Sequence, residues 1–222
     1  MTPPIDAAPP ARPQGRRARL APETFQLPVE KMREGYYSDA YFTFTRATLV
    51  ADDHHPRVLM QVFQRARSVL GGIDESIAVL KLCAGRATPD GWRDGWDDLV
   101  VHALHDGDEI APWETVMTIE GDYALFAHLE TIYLGALARR TLISRNVRDV
   151  VAAAGGKPIL YFPARFDHWQ VQTGDGWAAH IAGAIGVSTD AQASWWGGKG
   201  LSLIHISEPT RLWSGSRVAA SG

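Results

Sequence analysis

The second half of the chain alternates one long helical pattern with short apolar runs, and this alternation limits the possible folds more than any other feature. Residues Leu129 to Ala154 repeat apolar side chains between arginines at helical spacing, which predicts one long helix or two, and two glycines follow them. The run Pro158 to Phe162 then predicts a short buried strand, a small-residue helix is expected from Gly176, and a further strand ends near Val187. Short apolar strands alternating with helices indicate the opening of a parallel α/β sheet or barrel.

The segment before this stretch predicts a smaller α/β unit. Ser38 is a candidate N-cap for a helix with Tyr37, Tyr41 and Phe44 on one face, although the aromatic and β-branched residues of this segment also suit a strand. A strand, a helix and a second strand are predicted after it, over Arg57 to Gln64, Ile73 to Ala84 and Trp113 to Glu120. We therefore expect an N-terminal α/β domain over residues 23–128 and the start of a truncated α/β barrel over residues 129–200.

The two ends of the chain lack this globular pattern. Residues 1–22 are rich in proline, alanine and arginine, which predicts a disordered leader or an upstream extension from a misplaced start codon. At the other end, LSLIHISEPTR from Leu201 to Arg211 resembles the translation of an adapter used to prepare sequencing libraries. Residues 201–222 are therefore interpreted as a foreign tail, and His205 is not a catalytic candidate.

Composition and charge exclude several classes of protein. The net charge of -3 gives no broad basic field, so nucleic acid is not an expected partner. No apolar run is long enough to span a bilayer, so no membrane association is expected either. The single cysteine, Cys83, leaves no partner for an internal disulfide, which fits a reducing cytoplasm as the expected location.

The first candidate site follows the strand predicted at Pro158 to Phe162. Arg165, Asp167 and His168 come directly after it, where α/β folds position functional loops. The planar guanidinium of Arg165 suits a phosphate or carboxylate, although an ion pair with Asp167 is an equally good interpretation. His168 beside Trp169 is more typical of a packed histidine than of an acid or base.

The second candidate site follows the strand that ends near Val187. Ser188 and Thr189 could open a helix whose free N–H groups attract phosphate, although simple helix capping is the commoner use of these residues.

Other motifs carry weaker signals. Gly174, Gly176 and Ala179 have the spacing of a dinucleotide loop, which raises an oxidoreductase as a rival, but no acidic residue follows about twenty positions later. The run of two aspartates and two histidines at residues 52–55 has the composition of metal ligands but the position of a solvated turn, so no metal site is expected. Gly198 and Lys199 lack the other residues of a phosphate-binding P-loop.

Taken in order, several segments resemble nicotinate phosphoribosyltransferase between Phe25 and Gly200. They include the N-terminal tyrosine motif, its following strand and helix, the long helical stretch, the arginine-bearing strand end and the next strand and loop, which read YYSDAYF, MQVFQR, GGIDESIAVL, HLETIYLGALARRTLISRNVRDVV, YFPARFDH and GAIGVSTDA. The likeness is extended rather than confined to one short motif.

The resemblance implies an N-terminal α/β domain of a type II phosphoribosyltransferase followed by the first part of an α/β barrel. It also implies a cytoplasmic homodimer that joins nicotinate to 5-phosphoribosyl 1-diphosphate in NAD biosynthesis, forming nicotinate mononucleotide, with Mg²⁺ and with ATP coupling through a phosphohistidine. Tyr41 matches the nicotinate-contacting tyrosine, Arg165 the strand-end arginine, and Ser188 and Thr189 the phosphoribosyl loop, with His168 beside them.

The resemblance stops where the adapter-like text begins. The expected phosphohistidine lies beyond Gly200 and is missing, so no catalytic residue is assigned and the chain is expected to be an inactive fragment. Quinolinate or nicotinamide as the base, and a noncatalytic binding domain, remain as alternatives.

Overall fold

The computed structural model describes residues 18–201, which form six α-helices and nine strands in that range. The helices are α1 (Val29–Arg33), α2 (Ala40–Ala51), α3 (Ile73–Cys83), α4 (Glu130–Ala153), α5 (Gln172–Ile181) and α6 (Asp190–Ala193). The strands are β1 (Arg57–Phe63), β2 (Ser68–Val69), β3 (Gly85–Thr88), β4 (Gly91–Asp94), β5 (Val100–Ala103), β6 (Glu109–Ile110), β7 (Thr115–Asp122), β8 (Leu160–Tyr161) and β9 (Gly186–Val187).

A three-stranded antiparallel sheet organises the N-terminal half. Its order is β1-β7-β5, and Met60 of β1 lies opposite Ile119 of β7. One face of this sheet packs against α3 and the first half of α4, where Leu80, Ile119 and Leu137 are all buried in the largest apolar cluster. The parallel arrangement expected from the alternation of elements is therefore restricted to the second half of the chain.

The long helices agree well with the sequence pattern. The stretch predicted over Leu129 to Ala154 is one uninterrupted helix, α4. The helix carrying Tyr41 is also confirmed, but its N-cap is Asp39 rather than Ser38. Asp39 accepts a hydrogen bond from Thr131 Oγ1 at 2.8 Å, which ties the start of α2 to the first turn of α4.

The second half is a β-α-β unit. Strands β8 and β9 are parallel neighbours, with Leu160 opposite Gly186 and Tyr161 opposite Val187, and α5 connects them. The strand predicted at Pro158 to Phe162 is shorter and only half-buried. The following helix begins at Gln172, four residues before the predicted start at Gly176. This unit is the expected beginning of a parallel α/β barrel.

Residues 18–22, assigned from sequence to the end of a disordered leader, are ordered against the N-terminal half. Arg19 donates to Asp74 Oδ1 at 2.8 Å and to the carbonyl of Ala103 at 3.0 Å, while the backbone N–H of Leu20 donates to the other oxygen of Asp74 at 3.0 Å. The predicted leader is thus wrong at its C-terminal end, because Arg19 finds a buried carboxylate 55 positions away. Residues 1–17 and 202–222 lie outside the described residues. These two ranges contain most of the predicted leader and nearly all of the predicted tail.

Helix α4 belongs to both halves. Tyr133 and Leu137 in its first half are part of the cluster beneath the antiparallel sheet. Val147 in its second half packs with Ala179 and Ala182 of the β-α-β unit. The predicted domain boundary at residues 128–129 therefore falls just before a helix that packs against both halves of the chain. No described helix is both long and apolar enough to cross a membrane.

Candidate active site at the ends of β8 and β9

The loops that follow β8 and β9 lie at one edge of the β-α-β unit, which we call the barrel unit, because parallel neighbouring strands end on the same side. A polar relay joins the two loops. Thr189 Oγ1, after β9, donates to Gln172 Oε1 at 2.9 Å, and Gln172 Nε2 donates to the carbonyl of Ala164, after β8, at 3.5 Å. The two candidate segments found in the sequence are thus brought together.

Arg165 occupies a tight turn at this edge. The carbonyl of Pro163 accepts hydrogen bonds from the N–H groups of Phe166 at 2.8 Å and Asp167 at 3.0 Å, which fixes the course of the turn. Arg165 is exposed, and it forms no ion pair with any residue from 18 to 201. The alternative pairing with Asp167 is therefore not made, and the guanidinium is open to an anion.

His168 has a local structural role. Its Nδ1 accepts a hydrogen bond from the N–H of Gln170 at 3.2 Å and so caps the short 3-10 helix Trp169–Val171. The ring is exposed and lies 5.5 Å from the ring of Trp169. Because Nδ1 is the acceptor, Nε2 is the nitrogen that carries the proton in the neutral ring.

Ser188 and Thr189 form the start of α6 through a capping box. Thr189 Oγ1 accepts from the N–H of Gln192 at 3.2 Å, and Gln192 Oε1 accepts from the N–H of Thr189 at 3.2 Å and from Ser188 Oγ at 2.9 Å. The capping interpretation is therefore confirmed. Because α6 is only four residues long, its N-terminus has little dipole to offer a phosphate.

Four charged side chains form a network near this strand-end edge. They were not identified as a group from the sequence. Asp175 of α5 accepts from Arg139 Nε at 3.1 Å, from Arg139 Nη2 at 2.7 Å and from Arg140 Nη1 at 2.8 Å. Arg140 also donates through Nε to Glu75 of α3 at 2.9 Å. The network joins α3, α4 and α5, so it connects the antiparallel half to the barrel unit.

Burial differs strongly between the two arginines. The Arg140 side chain is 11% exposed, whereas that of Arg139 is 42% exposed and the carboxylate between them only 2%. The hydrogen bond to Asp175 raises the pKa of Arg139, with a further contribution from nearby Asp167. The pKa of Tyr161 is raised by burial first and then by Asp175 and Asp167. Arg139 therefore lies close to the end of β8 and belongs to the same electrostatic environment as the Arg165 loop.

Tyr41 lies close to the first turn of α4. Its ring is 59% exposed, and its hydroxyl donates to Asp39 Oδ2 at 3.4 Å. Partial desolvation, followed by the charge of Asp39, raises its pKa. Through Asp39 it lies beside Thr131, eight residues or about 12 Å of helix rise before Arg139. No contact between described residues joins Tyr41 to Arg165 within one chain.

An open cavity of about 210 Å³ lies between these two regions. It is lined mainly by apolar side chains of α1, α3 and α4, with Glu75, Arg139 and Arg140 at one end. Gly135 faces it, and a Cβ at that position would meet no atom within 4 Å beyond its chain neighbours and its own helix backbone.

Two weaker motifs are explained by packing. Gly174 and Gly176 lie inside helix α5, so the dinucleotide-loop interpretation is wrong. A side chain on Gly176 would collide with the backbone of Gln192, which explains why glycine is needed there. In the turn at residues 52–55, His55 lies between Asp122 at 2.7 Å and Asp53 at 3.2 Å, and no group of three or more possible ligands within residues 18–201 is arranged around a metal ion.

The comparisons with known proteins agree with this architecture. Residues 39–141 match the family model of the quinolinate phosphoribosyl transferase N-terminal domain. The fold superposes on nicotinate-nucleotide pyrophosphorylase from Pyrococcus furiosus with a TM-score of 0.67 and 28% identity, covering 82% of this chain and 46% of that one. Residues 39–141 therefore resemble a phosphoribosyltransferase N-terminal domain, and the chain has the mixed α/β fold of the N-terminal half of such enzymes.

Two further solved structures share this fold at lower identity. NadC from Streptococcus pyogenes matches with a TM-score of 0.54 and 18% identity, covering 73% of this chain and 52% of that one. Human nicotinic acid phosphoribosyltransferase matches with a TM-score of 0.56 and 16% identity, covering 68% and 36%. No curated protein matches the chain significantly in sequence. The chain spans about half the length of the first two solved structures it matches.

Proposed function

We propose that the chain is the N-terminal part of an enzyme that transfers a phosphoribosyl group from 5-phosphoribosyl 1-diphosphate to a pyridine carboxylic acid, with quinolinate as the favoured acceptor. The observation that carries the proposal is the match of residues 39–141 to the quinolinate phosphoribosyl transferase model, followed in this chain by the β-α-β unit with Arg165 at its open edge. The preference for quinolinate comes from the name of that model, since a fold shared at low identity does not distinguish acceptors.

The chemistry suits an exposed arginine at a strand end. Displacement of diphosphate at the anomeric carbon moves negative charge onto the leaving group, and a fixed guanidinium stabilises that charge as it develops. Arg165 has the planar donor geometry for this role, and the turn closed by Pro163 holds its backbone in one position. Thr189 orders the neighbouring loop through the relay to Gln172. We assign Arg165 to the phosphoribosyl diphosphate, with Ser188, Thr189 and His168 bordering the same site.

Mg²⁺ and ATP are expected from the family resemblance alone. When bound, Mg²⁺ would neutralise part of the diphosphate charge. Asp167 is the exposed carboxylate on the β8 loop, and a single carboxylate fits a cation that enters already bound to diphosphate better than a resident metal.

Quinolinate and nicotinate differ in one carboxylate, so their reactions differ in a measurable product. If the enzyme forms nicotinate mononucleotide from quinolinate, the extra carboxylate must leave as CO₂ and a proton must replace it on the ring, whereas nicotinate gives diphosphate without CO₂. Nicotinate is the second candidate, because the ordered motifs from Tyr36 to Ala191 resemble nicotinate phosphoribosyltransferase. Nicotinamide, which lacks an anionic group for an arginine, is the least favoured of the three bases.

Tyr41 supports a homodimer in this proposal. The exposed ring provides a flat apolar face on which a pyridine could stack. It lies beside the first turn of α4, whereas the Arg165 loop lies near Arg139 two turns later. We infer that Tyr41 of one subunit completes the site of a second subunit.

The test begins with the gene. Sequencing the genomic DNA beyond the codon for Gly200 should reveal a reading frame that continues into a histidine-bearing barrel; a natural stop codon after this tail would instead favour a noncatalytic domain. The protein from the continued frame should be assayed with quinolinate, nicotinate and nicotinamide, while CO₂, diphosphate and nicotinate mononucleotide are followed. We expect turnover of quinolinate with equal amounts of CO₂ and diphosphate. Turnover of nicotinate without CO₂ would select the second candidate, and no product from any base would contradict the proposal.

A pair of arginine variants tests the assigned role. Arg165→Ala should lower kcat/KM by about 100-fold or more, in the range found when one donor to a developing charge is removed. Arg57→Ala is the control, because Arg57 is an exposed arginine paired with Glu120 on the antiparallel sheet. Equal effects of the two substitutions would remove Arg165 from the site.

A further inference from the structure

The loop between β9 and the end of the described chain folds back onto its own start. The N–H of Leu201 donates to the carbonyl of Val187 at 2.7 Å, and the N–H of Gly200 donates to Asp190 Oδ1 at 2.8 Å. Leu201 is thus level with the last residue of β9, and Gly200 is level with the residues just beyond it. Lys199, one position earlier, therefore lies outside the C-terminal end of the strand.

The backbone on both sides of Lys199 is closely packed. A side chain on Gly200 would collide with the backbone of Thr189, and one on Gly198 would collide with the indole of Trp196. Lys199 itself is exposed and forms no ion pair with any described residue. The segment therefore fixes the backbone of a lysine at the strand-end edge and leaves its ammonium group available.

The polar relay extends from this loop to Arg165. Gly200 packs on Thr189, Thr189 Oγ1 donates to Gln172, and Gln172 donates to the carbonyl of Ala164. Arg165 follows Ala164 directly, and Lys199 precedes Gly200 directly. Arg165 and Lys199, neither of which forms an ion pair with a described residue, are thus connected through one short chain of contacts.

We propose that Lys199 is a second cationic contact for the diphosphate or phosphate group of the substrate bound at this edge, acting together with Arg165. The inference rests on the proposed function and adds a residue to that site. A diphosphate carries several charges over two phosphorus centres, so it is matched by two separated cations better than by one. Two carboxylates also lie on these loops, Asp167 and Asp190, and the Gly200 N–H partly neutralises the second of them. Lysine acts here as a point charge on a flexible stem, in contrast to the planar fork of Arg165.

The experiment measures binding of inorganic diphosphate to the 222-residue chain by isothermal titration calorimetry. Lys199→Ala should weaken binding by about 1.5- to 5-fold, the range for loss of one exposed ionic contact, and Lys199→Arg should restore most of it. Lys157→Ala is the matched control, because Lys157 precedes β8 and so lies at the opposite edge of the barrel unit. The difference between the two alanine variants should shrink as salt is added.

The outcomes separate this inference from the proposed function. If Arg165→Ala weakens binding while Lys199→Ala behaves like Lys157→Ala, Lys199 has no role and the proposed anion site remains. If the unsubstituted chain shows no binding below about 10 mM diphosphate, where the binding free energy is only a few kcal/mol, the inference is also overturned. Circular dichroism of each variant checks that the exposed substitutions leave the fold unchanged.

Discussion

Replacement of Asp175 by asparagine tests how far the two halves of the molecule depend on one carboxylate. Asp175 is buried and accepts three hydrogen bonds from two arginines, one of which, Arg140, is itself almost fully buried. In Asp175→Asn, Arg140 keeps Glu75 but loses its second anion. The new amide group also places a donor where an arginine N–H now points.

The expected cost follows from the difference in burial. Removing one partner from a buried ion pair costs about 3–5 kcal/mol, because the remaining charge has no compensation. Arg139 is 42% exposed and can regain water, so its share of the loss is small. We therefore expect the free energy of unfolding to fall by about 3 kcal/mol, near the lower end of that range.

Urea denaturation of the 222-residue chain measures this cost. With a slope near 2 kcal/mol per molar urea, which is typical of small proteins, the midpoint should fall by about 1.5 M at an unchanged slope. Asp167→Asn is the control, because Asp167 lies in the same electrostatic environment but is exposed and forms no ion pair within residues 18–201, so its loss should change stability by less than about 0.5 kcal/mol. A cost below about 1 kcal/mol for Asp175→Asn would refute the view that this network joins the two halves.

Four further substitutions test three other features. Burial raises the pKa of Asp106 to about 7 from an ordinary value near 3.8, so the folded state binds more protons than the unfolded state between these values. The free energy of unfolding should therefore fall as pH rises from about 4 to 7. Asp106→Asn should remove this dependence on pH, and an unchanged dependence would contradict the prediction. Gly176→Ala should destabilise the protein by about 1–3 kcal/mol in thermal or urea unfolding. Gly135→Ala adds a methyl group to open space and should instead stabilise helix α4 by about 0.5–1 kcal/mol. Equal effects of the two substitutions would argue against the close packing of α5 on α6. Tyr41→Ala should change stability by less than about 0.5 kcal/mol because the ring is exposed, yet it should raise KM for the pyridine acid in the continued-frame enzyme, and an unchanged KM would remove Tyr41 from the site.

The sequence predicted the elements whose signal is local. The apolar repeat of α4 continues for 24 residues, and the run of β-branched and apolar residues in β1 is bounded by turns, so both were identified to within a residue or two. Strands β2 to β6 were missed; segments such as GRAT and GWRD, which form β3 and β4, have neither alternation nor many β-branched residues. These two pair with each other as a hairpin, and β5 is held by pairing with β7, so their conformation depends on partners rather than on composition.

The candidate site was predictable in part for the same reason. Arg165 and Thr189 follow apolar runs, and the rule that parallel strands end at one edge brings their loops together. The ion network was not predictable, since Arg139 and Asp175 are separated by 36 positions and each has an ordinary local context. Two adjacent arginines on an otherwise apolar-striped helix were the one available signal, because one of them must face inward and needs an anion there.

The shared helix has a mechanical consequence. Because α4 contributes Tyr133 to one apolar cluster and Val147 to another, the antiparallel sheet and the barrel unit are mounted on a single rigid rod about 36 Å long. A rotation of either half about the junction at residues 128–129 would have to pull side chains of α4 out of one of these clusters. We therefore expect any opening or closing of the proposed site to come from movement of loops or whole subunits, and not from hinging one half of this chain against the other.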